Sequence, residues 1–248
     1  MKIDVVLSAG MELTGLKHDF SGRIVVVIDV LRATSTILTA LANGCSEVIP
    51  VREEEDALAL AKWFERNQYL LGGERKGIPI PGFDLGNSPL EYTRERVEGK
   101  KVILCTTNGT KALNEAADAN EVLIGNFLNI SRLASYLKDT ERDITLFCSG
   151  QDGGLSLEDL LCAGQIIKKI LFVTKNGAVP ELTDAGRIAL ITYKHLANKS
   201  KGPIIAMAQS GHGQYLASIG FNDDLLYCGQ VDALPYLAEY KNGSVVLK

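Results

Sequence analysis

Aromatic residues make up only 6% of this 248-residue chain, with a single tryptophan and three histidines. So sparse a set offers no row of stacking platforms for single-stranded nucleic acid. The 26 Lys and Arg against 30 Asp and Glu leave a net charge of −4, without the basic surface that a phosphate backbone needs. Nucleic-acid binding is not expected. Long hydrophobic runs are also missing, since no stretch approaches the roughly 18 uncharged apolar residues of a membrane helix. Met1-Lys-Ile-Asp-Val-Val-Leu-Ser places an acid inside a short alternating run, which reads as a strand and not as a secretory leader. A soluble cytoplasmic protein with no membrane partner is expected. The five cysteines (Cys45, Cys105, Cys148, Cys162, Cys228) are odd in number, scattered and without a C-x-x-C pair. That pattern argues against a disulfide framework and against a zinc site, and leaves reduced, mostly buried thiols.

What is present is apolar and periodic. A hydrophobic content of 46% supports a substantial core. Strands are expected at Ile3–Leu7, Ile24–Val30, Glu47–Val51, Tyr69–Leu71, Lys101–Cys105, Glu121–Ile124, Ile144–Cys148, Leu225–Cys228 and Ser244–Leu247. Helical patterns lie between them at Ala33–Ala42, Glu53–Asn67, Asn108–Ala117, Asn129–Lys138, Leu155–Phe172, Thr183–Ala197 and about Pro203–Ile219. This alternation implies parallel βαβ units in a three-layer α/β/α fold with a largely parallel or mixed sheet. One domain over 1–248 is expected, with a minor subdomain boundary at the polar turn near 175–180.

Three strands end in small, polar or acidic residues that open into helices: Asp29-Val-Leu-Arg-Ala-Thr-Ser-Thr36, Thr106-Thr-Asn-Gly-Thr-Lys111 and Ser149-Gly-Gln-Asp-Gly-Gly154. In parallel sheets ligands bind outside such carboxyl ends, where helix N–H groups favour anions. The Gly- and Pro-rich stretch Gly72–Pro89 breaks the rhythm. At that length, with acids and bases in it, an ordered functional loop is expected. Ser88-Pro-Leu-Glu91 at its end reads as an N-cap with a capping-box glutamate.

Asp29 fits two roles, a ligand for Mg²⁺, which takes one or two carboxylates plus phosphate oxygens, or a cap for Ala33–Ala42. A haloacid-dehalogenase nucleophile fits poorly, because Leu31 stands where that motif has its second acid. Cys105 and Lys111 have the spacing of a cysteine-phosphatase loop, but a lysine cannot supply the bidentate fork of the required arginine. The loop itself remains: Thr106, Thr107, Asn108, Gly109 and Thr110 offer hydroxyls, an amide and successive N–H groups to an oxyanion. Ser149 and Gly150 allow close backbone approach at the third end, although G-x-G-x-x-G is absent. Glu158 and Asp159 serve either the dipole of the long helix or a metal site facing Asp29. His212, between glycines in Ser210-Gly-His-Gly-Gln214, suits an exposed imidazole but equally an ordinary polar turn.

Taken together, Ile28–Thr36 with Ala42-Asn-Gly44, Gly73-Glu-Arg75, Gly82–Pro89, Thr106–Thr110, Gly150–Asp159 with Ala163-Gly164, and Gly211-His212 with Asp223–Cys228 resemble the 2-phosphosulfolactate phosphatase family. The resemblance implies a Mg²⁺-dependent hydrolase that converts (R)-2-phospho-3-sulfolactate to sulfolactate and phosphate in a coenzyme M biosynthetic route. Beside that resemblance, we assign Asp29, Glu74 and Asp159 as metal ligands, with Asp29 and Asp159 catalytic and Glu158, Asp84 and Asp152 in reserve. Arg32 and Arg75, with Lys76 nearby, are expected to neutralise the anion held at Thr106–Thr110, Ser149 and Gly150. Other readings are a phosphatase of another phosphorylated 2-hydroxy acid through an Asp29 phosphoenzyme, or a non-catalytic small-dianion binding protein. A homodimer is expected only because soluble enzymes are so often symmetric oligomers.

Overall fold

The computed structural model describes residues 1–9, 18–174, 179–197 and 202–248. Its eleven strands are β1 (Lys2–Val6), β2 (Ile24–Ile28), β3 (Glu47–Val51), β4 (Tyr69–Arg75), β5 (Ile78–Pro79), β6 (Lys101–Cys105), β7 (Glu121–Gly125), β8 (Ile144–Cys148), β9 (Glu181–Leu182), β10 (Ala238–Lys241) and β11 (Ser244–Leu247). They form one mixed sheet in the order β5-β4-β6-β3-β11-β10-β7-β2-β8-β1-β9. Two parallel portions, β4-β6-β3 and β7-β2-β8-β1-β9, are joined by the antiparallel hairpin β10–β11.

The helices are α1 (Ala33–Ala42), α2 (Glu54–Ala61), α3 (Arg94–Val97), α4 (Gly109–Glu115), α5 (Ile130–Leu137), α6 (Leu157–Val173), α7 (Asp184–Leu196), α8 (Gly202–Met207), α9 (Gly211–Ser218) and α10 (Asn222–Cys228). All five residues of β2, Ile-Val-Val-Val-Ile, are buried, as a strand covered on both faces requires. Its Val25 and Val27 pack with α1 and α4, while Ile24, Val26 and Ile28 pack with α5 and α6. The architecture is therefore three-layer α/β/α.

The packing of α1 and α4 decides where the strand ends meet. One core holds Val25 and Val27 of β2, Ile124 of β7, Val48 of β3 and Val102 and Leu104 of β6, together with both helices. Strands far apart in sheet order thus share one pair of helices. At the mouth of this core Gly109, the first residue of α4, is pressed against the end of β2. A Cβ on it would come within 2.5 Å of Ala33 Cβ and 2.8 Å of Asp29 Oδ2. The close approach demands a glycine there, and through it the ends of β2 and β6 become one site.

Several expectations are corrected. Leu225–Cys228 is the end of helix α10 and not a strand; the acids Asp223 and Asp224 in its first turn suit a helix start. The pattern at Glu53–Asn67 is helical only over Glu54–Ala61. The pattern at Pro203–Ile219 divides into α8 and α9, with Ser210 capping α9 by accepting the Gly213 N–H at 2.9 Å. Strand β4 runs four residues beyond Leu71, to Arg75, so the glycine-rich stretch begins inside the sheet. Ser88 and Glu91 do not form a capping box: Ser88 Oγ donates to Asp224 at 2.6 Å, and Glu91 accepts the Gly86 N–H at 2.9 Å. The short strands β5, β9 and β10 carry too little apolar pattern to be read. The boundary expected near 175–180 falls largely on residues 175–178, outside the described residues. All five cysteines are free and buried.

Candidate active site

The ends of β2, β4 and β6, the turn after β8 and the start of α9 enclose a cleft of about 350 Å³. Its walls carry Asp29, Arg32, Glu74, Lys76, Asn87 and Thr106–Asn108, closed by Gln151, Asp152, His212 and Tyr215.

Asp29 both bonds the first N–H of α1 and faces the cleft. Its Oδ1 accepts the Ala33 N–H at 3.1 Å, capping α1, and the side chain still lines the cleft. Burial raises its carboxyl to about 6, against the His212 field and the hydrogen bonds from Ala33 and Ser149, with the Glu74 charge adding to the rise. Glu74 is 7% exposed and accepts the N–H groups of Gly77 at 2.7 Å and Thr107 at 3.0 Å. It therefore ties the turn after β4 to the Thr106 loop. Thr107 gives its N–H to Glu74 and not to a ligand, while Gly109 and Thr110 lie behind the cleft wall, Thr110 bonding back to Thr106.

Asp159 does not reach the cleft. Its Oδ1 accepts the Val30 N–H at 2.9 Å, and its Oδ2 faces the Gly150 N–H at 3.2 Å and Ser149 Oγ at 3.3 Å. It fastens the end of β2 to the end of β8. Burial and then the charges of Asp29 and Glu158 push its carboxyl well up. Ser149 and Gly150 are spent on this brace, and Gln151 and Asp152 form the wall in their place. Among the described residues no three His, Cys, Asp or Glu side chains make a group able to hold one ion. The expected Asp29–Glu74–Asp159 ligand set is corrected accordingly.

Arg75 is also displaced. Successive residues of a strand face opposite ways, so Glu74 toward the cleft sends Arg75 outward. There it bonds the Arg52 carbonyl at 2.8 Å and meets Glu53 and Glu54 at 3.6 and 3.5 Å. Its guanidinium lies 3.2 Å from Cys105 Sγ, yet burial raises that thiol, which keeps it unreactive. Lys76, next in sequence, takes the place expected for Arg75 in the cleft wall. Asp84 is likewise remote, accepting the Leu71 N–H at 2.9 Å and pairing with Arg66.

Arg32 is 2% exposed. It donates to Asp224 Oδ2 at 2.7 Å and to the Gly77 carbonyl at 2.8 Å, and lies 4.2 Å over the Phe221 ring. Asp224 was not foreseen, because its helix was read as a strand. His212 opens α9 and places Nδ1 3.3 Å from Glu158 Oε1. Burial works against the charge of Glu158, but the nearby His212 outweighs it and holds that carboxyl below its usual range, although neither carboxylate oxygen has a hydrogen-bond partner among the described residues. His212 thus faces Glu158 with Nδ1 at ion-pair distance while its ring lines the cleft.

The donor set can be asked whether it suits Mg²⁺. Asp29, Glu74 and Asp152 line the same cleft as the hydroxyl-rich loop, beside Arg32 and Lys76. Two carboxylates with room for waters and a phosphate oxygen are what Mg²⁺ takes. Asp29 and Glu74 present carboxylates to the cleft, each already accepting backbone N–H groups, whereas Asp159 does not line it.

Fold and cleft together give an α/β protein with a cleft of acids, hydroxyls and a buried guanidinium at the carboxyl ends of its strands. The family model described as 2-phosphosulpholactate phosphatase matches residues 11–243. A protein of Clostridium beijerinckii named Probable 2-phosphosulfolactate phosphatase is 40% identical over 245 residues, covering 99% of each chain. A Clostridium perfringens protein of the same name is 44% identical over 248 residues, covering 99% of this chain and 96% of its own. One from Caldanaerobacter subterraneus is 42% identical over 228 residues and 92% of each chain. The chain belongs to the 2-phosphosulfolactate phosphatase family.

Proposed function

We propose that this chain hydrolyses the phosphomonoester of (R)-2-phospho-3-sulfolactate to sulfolactate and inorganic phosphate, with Mg²⁺, in a coenzyme M biosynthesis-type step. The observation that carries this reading is the convergence of Asp29, Glu74 and the Thr106–Asn108 loop on one cleft of about 350 Å³, large enough for a three-carbon diacid ester. Family membership supports phosphomonoester hydrolysis in particular. No described helix is long and apolar enough to cross a membrane, in keeping with a small-molecule enzyme.

Asp29 and Glu74 would hold Mg²⁺, which when bound would neutralise charge on the phosphoryl group and activate water. The hydroxyls of Thr106 and Thr107 and the Asn108 amide orient the phosphoryl oxygens. The rigid anchoring of Glu74 to both Gly77 and Thr107 fixes that geometry before substrate arrives, so little reorganisation is needed in the transition state. His212, steadied by Glu158 at Nδ1, gives a proton from Nε2 to the departing secondary alkoxide, a poor leaving group without it. Water forms the new P–O bond as the bond to the alkoxide breaks, the proton it loses passes to solvent, and His212 is reprotonated from solvent.

Phosphate release from a panel of phosphorylated 2-hydroxy acids, with Mg²⁺ and with chelator, tests the reading. Phosphosulfolactate is expected to be the preferred substrate, and chelation to abolish turnover. His212→Ala should cost about 10²-fold or more on phosphosulfolactate. Its cost on p-nitrophenyl phosphate, whose leaving group needs no proton, should be small. Equal rates across generic phosphomonoesters would end the substrate assignment, and chelator-resistant turnover would end the metal assignment.

A further inference from the structure

The hairpin that carries Glu74 has little of its own to hold it in shape. Strand β5 is two residues long, lies at the end of the sheet and pairs with β4 through Glu74 opposite Pro79 and Arg75 opposite Ile78. Pro79 has no N–H to give, and so short a hairpin is marginal by itself. Its two-residue turn puts both Lys76 (φ 51°) and Gly77 (φ 75°) in the left-handed region, as a type I′ turn requires. Glycine enters that region freely. A lysine resists it, and such a conformation persists where the surroundings enforce it.

What enforces the turn comes from distant parts of the chain. Gly77 is buried although Lys76, Ile78 and Pro79 around it are exposed. It rests against α9 and the residue after it: a Cβ on Gly77 would come within 3.1 Å of Ile219 Cδ1, 3.2 Å of Leu216 Cδ2 and 3.4 Å of Tyr215 Cε1. Tyr215 Oη donates to the Lys76 carbonyl at 2.8 Å, and Arg32 donates to the Gly77 carbonyl, also at 2.8 Å. The Gly77 N–H goes to Glu74 Oε2 at 2.7 Å, while Glu74 Oε1 accepts the Thr107 N–H at 3.0 Å. A continuous series of contacts thus runs from Tyr215 through the turn to Glu74 and on to the Thr106 loop. Tyr215 stands three residues after His212 on α9, so the two share one side of that helix, and both line the cleft.

We propose that Tyr215 is a positioning residue: by latching the Lys76–Gly77 turn to α9, its hydroxyl sets the Glu74 carboxylate and the Thr107 backbone in register with His212. What Glu74 and His212 do once in register rests on the functional reading above; the latch itself rests on the contacts alone. A carboxylate that must hold an ion and a loop that must hold an oxyanion gain from being fixed before either ligand arrives. Tyr215 acts on them through the turn, one hydrogen bond removed from Glu74.

Tyr215→Phe keeps the ring against Gly77 and removes the hydroxyl alone. Amide hydrogen exchange followed by NMR should show Gly77 and Thr107 exchanging at least about fivefold faster in the variant, with Val26 and Leu146 in the central strands unchanged. Thr107 gives its N–H to Glu74 and not to Tyr215, so its acceleration reports transmission through the turn and not the loss of one local bond. Acceleration confined to the turn, or none, would overturn the proposal. Mg²⁺ titrated calorimetrically into the substrate-free protein should bind the variant at least about threefold more weakly, a smaller effect than the roughly tenfold usual for a direct partner of a ligand. On phosphosulfolactate kcat should fall by more than KM rises. A raised KM with Mg²⁺ affinity and Thr107 exchange unchanged would place the hydroxyl on substrate and overturn the latch. If wild type binds no Mg²⁺ or releases no phosphate, the functional reading falls, while the Thr107 exchange rate still decides the latch.

Discussion

Asp29→Asn should lower phosphosulfolactate turnover by at least about 100-fold and, in the metal-free protein at pH 7.5, raise the melting temperature. The first effect follows from loss of a metal-holding carboxylate, where charge stabilisation is worth several kcal/mol. The second follows from the raised carboxyl. Folding moves it from 3.8 to about 6, so between those values the folded chain keeps a proton that the unfolded chain has lost. The stability this group contributes is complete below pH 3.8 and disappears as pH rises through about 6. Above that pH its ionisation costs up to about 3 kcal/mol, at about 1.36 kcal/mol per unit. Asparagine removes the penalty and keeps an oxygen for the Ala33 N–H. For a chain of this size the gain is about 5–10 °C above pH 7, shrinking to nothing near pH 4. Mg²⁺ should then raise the melting temperature of wild type and leave that of the variant unchanged. Scanning calorimetry across pH is the check, and a variant that melts at or below wild type at pH 7.5 would contradict the role given to Asp29.

The other large effect concerns Arg32 and Asp224, both 2% exposed and 2.7 Å apart. Asp224→Ala leaves the guanidinium charged, buried and unpaired, and strips Ser88 of its acceptor. Breaking such a pair costs about 3–5 kcal/mol, a fall of about 10 °C here. Chemical denaturation should show that loss with an unchanged m-value. Because Arg32 borders the cleft, kcat/KM should fall as well even where the variant is fully folded. A loss under about 1 kcal/mol would mean that solvent reaches the pair, against its burial.

How much of this was legible in the sequence depended on how local each signal was. Asp29, Asp152 and Thr106–Asn108 are legible because a strand end followed by a helix start is a signature within one short stretch, whereas Glu74 comes from the Gly- and Pro-rich stretch. Arg75 was misplaced for a reason equally local: β4 was ended at Leu71, so the alternation that separates Glu74 from Arg75 went unseen. Asp159 lies in the field of Asp29, but the N–H groups of Val30 and Gly150 that occupy it come from elsewhere in the chain. Asp224 pairs with a residue 192 positions away, and such a pairing leaves no mark in spacing. A short apolar run such as Leu225–Cys228 fits strand and helix alike, and only the preceding Asn222-Asp-Asp could have decided it. The mixed sheet was foreseen, but not the hairpin that joins its halves, since Ala-Glu-Tyr-Lys in β10 buries too little to stand out. His212 between glycines reads as an exposed imidazole or an ordinary turn, and no local signal marks the Glu158 that stands 3.3 Å from it.

The account rests on one claim, that the ends of β2, β4 and β6 form a single phosphoryl-transfer cleft around Asp29. A crystal structure with Mg²⁺ and phosphate tests it most directly. The ion should sit on Asp29 and Glu74, about 2.1 Å from each carboxylate, with phosphate between it and Thr106–Asn108. An ion or phosphate bound elsewhere, or an ion that leaves Asp29 hydrogen-bonded only to Ala33, would contradict the account.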